Sequence, residues 1–332
     1  MKIRICILFT LLSANFLFAQ KLPKPAARIA FWNVENLYDT INDPAIDDEE
    51  FLPGAKKNWN TERYFAKLNS LSKVILAMGN GVGPDILGMA EIENKTVLVD
   101  LTKKTPLSKQ NYGIVHYDSP DKRGIDVALI YKKDKFKVLE SKKIFVPMPS
   151  DSSFTRDILL VKGILGKKDT VYIFVNHWPS RRGGEEESVP RRMSAASKLR
   201  NAQDSILKLF PNAKILAMGD FNDEPDDKSI LSLKSSAGSK SGFIDLMDTL
   251  KAKGEGTFHY KKEKNMLDQI LVTKSLQPSK GLRIMEAYIF HEAWMTGENY
   301  KGDAPGPLHT YAGSRYIGGY SDHYPVYADI YR

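Results

Sequence analysis

From Arg28 to Ile330 the chain alternates short apolar runs with bursts of polar and acidic residues, and the side on which each burst falls follows a rule. In RIAFWNVEN the burst (Asn33, Glu35, Asn36) follows the run. It also follows in DILGMAEIEN (Glu91, Glu93, Asn94), in TVYIFVNHWPSRR (Asn176, His177, Ser180, Arg181) and in KILAMGDFNDEP (Asp220, Asn222, Asp223). In RGIDVALIY, MLDQILV and SDHYPVYADI it precedes the run. The runs are rich in β-branched and aromatic residues and predict strands. If the first four strands point one way in mixed sheets and the last three the other, all seven bursts meet at one rim. Any single burst is what an ordinary turn looks like; seven obeying one rule predict an active-site edge.

Helical spacing fills the gaps. Tyr64, Leu68, Leu71, Ile75 and Met78 recur at the helix period from about Thr61 to Met78, and Gly79 supplies a stop. A looser apolar face of Met193, Ala196, Leu199, Ile206 and Phe210 predicts a second helix that follows Pro190. Strands alternating with helices, some strands adjacent in sequence, predict α/β layers with antiparallel pairing in part. No internal repeat and no Ser/Gly linker divides the chain. Two stretches, DTINDPAIDDEEFLPGAKKNW and HEAWMTGENYKGDAPGPLHTYAGSRYIGGY, are too long for simple connections. In the first, Asp43, Asp47, Asp48, Glu49 and Glu50 lack the spacing of a calcium loop and predict a solvated acidic loop. The second, from about His291 to Tyr320, leads into Asp322 and His323 and predicts a substrate wall.

Composition adds export and charge. Residues 1–19, MKIRICILFTLLSANFLFA, place Lys2 and Arg4 before an apolar stretch that ends on small Ala19, the pattern of a secretory signal peptide. Ser13 and Asn15 interrupt that stretch well short of the ~20 apolar residues of a membrane span, so no stable membrane insertion is expected. The protein is expected to be exported, periplasmic or extracellular. The sole cysteine, Cys6, lies inside the signal, so stability rests on core size and not on disulfides. The formal charge is +8, and setting aside Lys2 and Arg4 leaves +6, an excess that suits an anionic partner. No protein partner is evident in the pattern.

Taken in order, Asn33 in WNVEN, Glu91 in AEIEN, Asp126 in RGIDVALIY, His177 in NHWPSR, Asp220 and Asn222 in GDFND, Asp268 in LDQILV, and Asp322 with His323 in SDHYPV resemble the endonuclease/exonuclease/phosphatase superfamily, the DNase I-like proteins. The resemblance covers nearly all of the chain after the signal. It implies an α/β four-layer sandwich, two packed mixed β-sheets flanked by helices, in one catalytic domain over 26–332. It also implies a divalent-metal-dependent phosphoesterase. Phosphodiesters repel anionic nucleophiles, so a cation must neutralise the phosphoryl oxygens, and magnesium favours a few carboxylates plus water.

The resemblance implies Glu91 as metal ligand, with Glu35 and Asp322 next, for Mg2+, with Mn2+ or Ca2+ as substitutes; whether a second ion binds stays open. Glu93 is expected as a neighbour of Glu91. Asp268 matches the position that orients His323, which can take or share a proton. Asp220 and Asn222, two apart and so expected on one side of a strand, match the pair that positions the attacking water. Whether Asp220 or His323 accepts the proton stays open. Asn33 can hydrogen-bond a phosphoryl oxygen; His177, if protonated, can stabilise developing charge; Arg181 fits a bidentate phosphate contact as the substrate-binding residue. Asp126 is expected to support the site through Arg123 or a nearby histidine. His116, His259, His291 and His309 have no motif.

Nucleic acid is the expected substrate. The positive charge, Arg181 with Arg182, and Trp178, Tyr260, Tyr311 and Tyr316 as stacking rings favour a nuclease acting on DNA or RNA. The alternative is a phosphatase or phosphodiesterase for lipid, inositol or sugar phosphates, the lipid version lacking any exposed amphipathic segment. A non-catalytic binding protein of the same fold is the third reading, opposed by a competent residue type at every matched position.

Overall fold

The computed structural model describes residues 24–149, 154–234, 242–278, 280–300 and 304–332. The expected signal peptide, with Cys6, lies outside these residues.

In chain order, β1 (Ala27–Leu37), β2 (Ile86–Ile92), β3 (Tyr112–His116) and β4 (Asp126–Lys132) build most of one sheet. Next, β5 (Phe136–Ile144), β6 (Ile158–Leu165), β7 (Asp169–His177), β8 (Lys214–Asp220) and β9 (Ile244–Asp245) build most of a second. A hairpin of β10 (Phe258–Tyr260) and β11 (Glu263–Asn265) leads to β12 (Asp268–Val272) in the second sheet and β13 (Arg283–Ile289) in the first. The irregular stretch before the last strand holds two short ladders, β14 (Thr296–Gly297) with β15 (Gly306–Pro307) and β16 (Tyr311–Ala312) with β17 (Arg315–Tyr316); β18 (Val326–Tyr331) then returns to the first sheet. The sheet orders are β13-β18-β1-β2-β4-β3 and β5-β6-β7-β8-β12-β9.

Side-chain alternation turns these sheets into layers. On β1, Ile29 and Phe31 point into a core shared with Val161, Ile173, Val175, Met218 and Ile270 of the second sheet. Ala30, Trp32 and Val34 point the other way, onto Leu68, Leu71 and Ile75 of α1 (Thr61–Met78) and onto Leu98 of α2 (Lys95–Lys103). The outer face of the second sheet packs on α3 (Glu185–Leu209) and α4 (Lys228–Lys234) through Phe174, Ile215 and Ala217 against Leu199, Ile230 and Leu233. The result is helix, sheet, sheet, helix, the four layers the resemblance implied. Both faces of the central strands are buried, which is why they read as apolar runs without clean alternation. No helix among the described residues is long and apolar enough to cross a membrane.

The pairing brings the polar bursts together. β1 and β2 are parallel, as are β7 and β8, so their C-terminal ends share a rim. β4 runs antiparallel to β2, β12 to β8 and β18 to β1, so these three begin at that same rim.

Helix α1 has the expected bounds, with Asn60 Oδ1 capping Arg63 N–H at 3.0 Å and Gly79 at its end. Helix α3 differs: it starts at Glu185, and Pro190 lies inside it. Proline is a start signal because it lacks an N–H. Here Gly184, with φ 123°, sets the turn, and Glu185, Glu186 and Glu187 favour the positive end of the helix dipole.

Gly88 on β2 faces the inter-sheet core, where an added Cβ would lie 2.7 Å from Met218 Cε and 3.1 Å from Val175 Cγ1. Gly88→Val is expected to cost about 1–3 kcal/mol through overpacking, read as a lower urea midpoint at unchanged slope. An unshifted midpoint would mean that the sheets have room to spare.

Candidate active site

Asp220 ends β8 at the centre of the rim, opposite His177 of β7 on one side and Asp268 of β12 on the other. Its carboxylate is buried. Oδ1 accepts the Asn222 N–H at 2.9 Å, and Oδ2 accepts Asn33 Nδ2 at 3.0 Å from the other sheet. His177 Nε2 and His323 Nε2 lie 3.6 and 3.8 Å from the same Oδ2. Burial pushes Asp220 up to about 7; Asp268 adds to the rise, while His323, Asn33 and the Asn222 N–H oppose it.

His323 is fixed on every side. Its Nδ1 lies 2.6 Å from Asp268 Oδ2, and its ring lies 4.9 Å from that of Phe258 on β10. Its backbone N–H donates to Ser321 Oγ, which donates to Asn33 O, and its carbonyl accepts Trp32 Nε1. Burial by itself would lower the imidazole pKa, but Asp268, Asp322 and Asp220 more than offset it and hold the ring well above its ordinary value. His177 goes the other way. Burial first, then the cations Arg156, Arg123 and His323, hold it well below the ordinary value. His177 is therefore neutral at pH 7, and the expected cationic role gives way to that of a neutral hydrogen-bonding group.

The three expected metal ligands come from two bulges and one strand entry. The register of β1 shifts between Asn33 and Leu37, and that of β2 between Ala90 and Ile92. Glu35, Asn36 and Glu91 take φ of 55°, 50° and 63°, the left-handed region that costs non-glycine residues about 1–3 kcal/mol each. Bulges re-aim side chains, and here they turn two glutamates toward the rim. Glu35 Oε2 accepts Thr310 N–H and Oγ1–H at 2.6 and 2.8 Å. Glu91 Oε2 accepts Asn36 N–H at 2.8 Å, and Asp322 Oδ1 lies 3.4 Å from Ser321 Oγ, whose proton goes to Asn33 O.

Glu35 and Glu91 thus each have one oxygen bonded within the protein and one with no hydrogen-bond donor among the described residues, and Asp322 has only the long contact to Ser321 Oγ. A set of open, hard oxygens suits a magnesium ion, which keeps several waters and needs few protein ligands. They are not a closed cluster. Among the described residues the trios with ligand atoms within 4.8 Å of one another are Asp220, Asp268, His323 and His116, Asp118, Asp126. The first trio is drawn together by the His323–Asp268 bond, the second by His116 Nε2 and Asp126 Oδ2 at 3.0 Å.

Several expectations change. Glu93 is taken up by the loop that follows β1. Its Oε2 accepts Asp39 N–H at 2.6 Å, and burial, with Asp39, Asp48 and Asp43 nearby, pushes it up to about 8. Of the two partners expected for Asp126, Arg123 or a nearby histidine, it is His116 that pairs with it. Asn222, with φ 51°, lies in the turn beyond the end of β8, its N–H on Asp220 Oδ1 and its Nδ2 donating to Trp178 O at 3.0 Å. Arg181 is committed to protein: Nε donates to Asn222 O, Nη1 to Glu185 Oε1 and Nη2 to Asp227 Oδ2, at 2.7 to 2.9 Å. That fork braces the Asn222 turn instead of presenting a bidentate face to phosphate. Trp178 and Tyr311 are buried and cannot stack on bases, Tyr316 packs under Arg63, and Tyr260 is 58% exposed.

Two buried cations escaped the sequence reading. Arg156 donates from Nε to His177 O at 3.2 Å, from Nη2 to Trp178 O and from Nη1 to Asp121 Oδ2 at 3.0 Å, so it fixes the end of β7. No motif marks it. Lys67 reaches Glu35 from α1; its one signal is its place on the apolar stripe, three residues after Tyr64 and four before Leu71.

Comparison with known proteins agrees with this geometry. The family model described as Endonuclease/Exonuclease/phosphatase family matches residues 28–332, and the chain belongs to that family. No curated protein matches it in sequence. Among solved structures, the human Nocturnin catalytic domain with bound sulfate anion is 18% identical, with a TM-score of 0.56, covering 93% of this chain and 95% of that one. D. rerio TDP2 complexed with single strand DNA product is 16% identical, TM-score 0.56, covering 92% and 99%. An endonuclease/exonuclease/phosphatase family protein from Bacteroides thetaiotaomicron is 17% identical, TM-score 0.56, covering 92% and 97%. At these identities the likeness is one of fold, and that fold is DNase I-like.

Asp268→Asn removes the strongest support for the His323 proton. NMR titration of the ring should show His323 protonated well above pH 6.5 in the wild type, with its pKa falling in the variant as burial wins. An unchanged titration would show that Asp268 does not hold the proton.

Proposed function

We propose that the protein is an exported, divalent-metal-dependent phosphoesterase that hydrolyses phosphodiester bonds in DNA or RNA by in-line attack of water. One observation carries the reading: a buried carboxylate, Asp220, held in register between His177 and Asp268 and bonded across the sheets to Asn33, beside a row of half-open carboxylates.

A bound Mg2+, held by Glu91, Glu35 and Asp322, would supply charge neutralisation at the phosphoryl oxygens. The chain's own groups divide the remaining work. Asp220, raised to about 7 and thus well matched to neutral pH, takes the proton of the attacking water. Asn222 positions that water from the turn that Arg181 braces. His323, kept protonated by Asp268, faces the same space and stabilises negative charge as it develops, with Asn33 Nδ2 and the neutral His177 as further hydrogen-bonding partners. Asp220 and His323, 3.8 Å apart, are close enough to titrate together, so a pH–rate profile reports the pair.

Nucleic acid as substrate draws support from the formal charge of +6 left once Lys2 and Arg4 of the signal are set aside, and from the β10–β11 hairpin, whose exposed Tyr260, Lys261 and Lys262 extend from the strand that packs on His323. The D. rerio TDP2 of similar fold is complexed with a single strand DNA product. Export rests on the N-terminal pattern of residues 1–19.

Mature protein assayed with Mg2+, Mn2+ or Ca2+ against plasmid, single-stranded DNA, RNA and phosphomonoesters should lose all hydrolysis on chelation and regain it with Mg2+ or Mn2+. Full turnover in excess chelator would remove the mechanism. His323→Ala and Asp220→Asn should each cut the rate by at least about a hundredfold. On polymer, binding by a His323→Ala background should weaken steeply with salt and weaken further in Lys261→Ala/Lys262→Ala. A flat salt response with efficient monoester turnover would point to the small-phosphoester alternative.

A further inference from the structure

Helix α1 carries a cation on its buried face. The Lys67 ammonium is wholly buried and donates to Thr310 Oγ1 at 2.6 Å and to Tyr320 O at 2.8 Å. It lies 3.7 Å from Glu35 Oε2, to which Thr310 Oγ1 donates in turn. Packing does not call for a charge at this position: the neighbours on the stripe are Tyr64, Leu68 and Leu71, and an apolar side chain would fill it without the cost of desolvating an ammonium.

We propose that Lys67 is a resident cation of the candidate metal site, one that restricts Glu35, Glu91 and Asp322 to a single divalent ion. Three carboxylates and one ammonium sum to a formal charge of −2, which one such ion neutralises. Without Lys67 the same cradle carries −3 and attracts a divalent ion more strongly, or a second one. The ammonium lies 3.7 Å from Glu35 Oε2, and Thr310 Oγ1 bridges the two, so the cation acts on the cradle through Glu35. The inference rests on the phosphoesterase reading only for the identity of those three as ligands.

Lys67 also ties the loop carbonyl of Tyr320 and the Thr310 hydroxyl beneath Glu35, and a purely structural tie makes the opposite forecast. Cutting a tie loosens the ligands and weakens metal binding; removing a resident cation strengthens it. Mn2+ alone, titrated into the full mature chain with free ion read by electron paramagnetic resonance, separates the two. The wild type should bind one ion at the site. Lys67→Met should bind it at least about tenfold more tightly, or take a second. Weaker or unchanged binding by Lys67→Met, or two ions in the wild type, would overturn the proposal.

Should Lys67→Met fail to fold, the charge-neutral pair Glu35→Gln/Lys67→Met decides. It should bind one ion more tightly than Glu35→Gln alone, whose cradle keeps the ammonium against two carboxylates. Equal or weaker binding would show that the charge of Lys67 is not felt. Hydrolysis measured on the same wild-type samples keeps the two readings apart. One bound ion without hydrolysis of any phosphoester sinks the phosphoesterase reading and leaves Lys67 its role; hydrolysis with two bound ions does the reverse.

Discussion

Two hydrogen bonds cross from one sheet to the other at the rim, Asn33 Nδ2 to Asp220 Oδ2 and His323 Nδ1 to Asp268 Oδ2. Both acceptors are buried carboxylates, which the interior tolerates only when they are bonded. Removing His323 would leave the Asp268 carboxylate without a donor among the described residues, and removing Asn33 would leave Asp220 with the Asn222 N–H alone. The pairing therefore fixes how the two sheets meet at this edge, and with it the position of every group that faces the site. The backbone around His323 is held from the same place: Ser321 Oγ binds Asn33 O, and Trp32 Nε1 binds the His323 carbonyl.

Pre-organisation continues outward in strain and buried cations. The four left-handed residues nearest the site, Glu35, Asn36, Glu91 and Asn222, sit where strands stop being regular. Each is held by a named bond: Thr310 on Glu35, the Asn36 N–H on Glu91, and Arg181 on the Asn222 carbonyl. Strain of this kind persists where the surroundings over-determine the backbone. Arg156 and Lys67 anchor the two ends of the arrangement, one under His177 and the other under Glu35.

The rim was legible in the sequence because a strand carries its polar burst at the end where it leaves the sheet, and seven bursts are enough to orient seven strands. Helix α1 was legible because its apolar stripe and both caps are local. What failed depended on backbone conformation or on distant partners. The left-handed turns at Glu91 and Asn222 and the Asp39 N–H that Glu93 accepts are not written in a period of two. Pro190 misled because Gly184 and three glutamates start α3 earlier. Arg181 and Trp178 read as substrate contacts, yet the partners that claim them, Glu185, Asp227 and the packed ring of Phe221, become neighbours only once the chain is folded. The resemblance to the endonuclease/exonuclease/phosphatase family named the polar residues of the rim; of the lysine beneath them the sequence shows only a place on the apolar stripe of α1, and its partners Glu35, Thr310 and Tyr320 are met only in the fold.

The most direct measurement of the central claim is a double-mutant cycle on kcat/KM with Asp268→Asn and His323→Ala. If the crossing bond makes the two residues one unit, the double variant should lose little more than His323→Ala alone, a coupling of at least about 0.5–3 kcal/mol. Losses that simply add would show that Asp268 and His323 act independently, and would contradict the account.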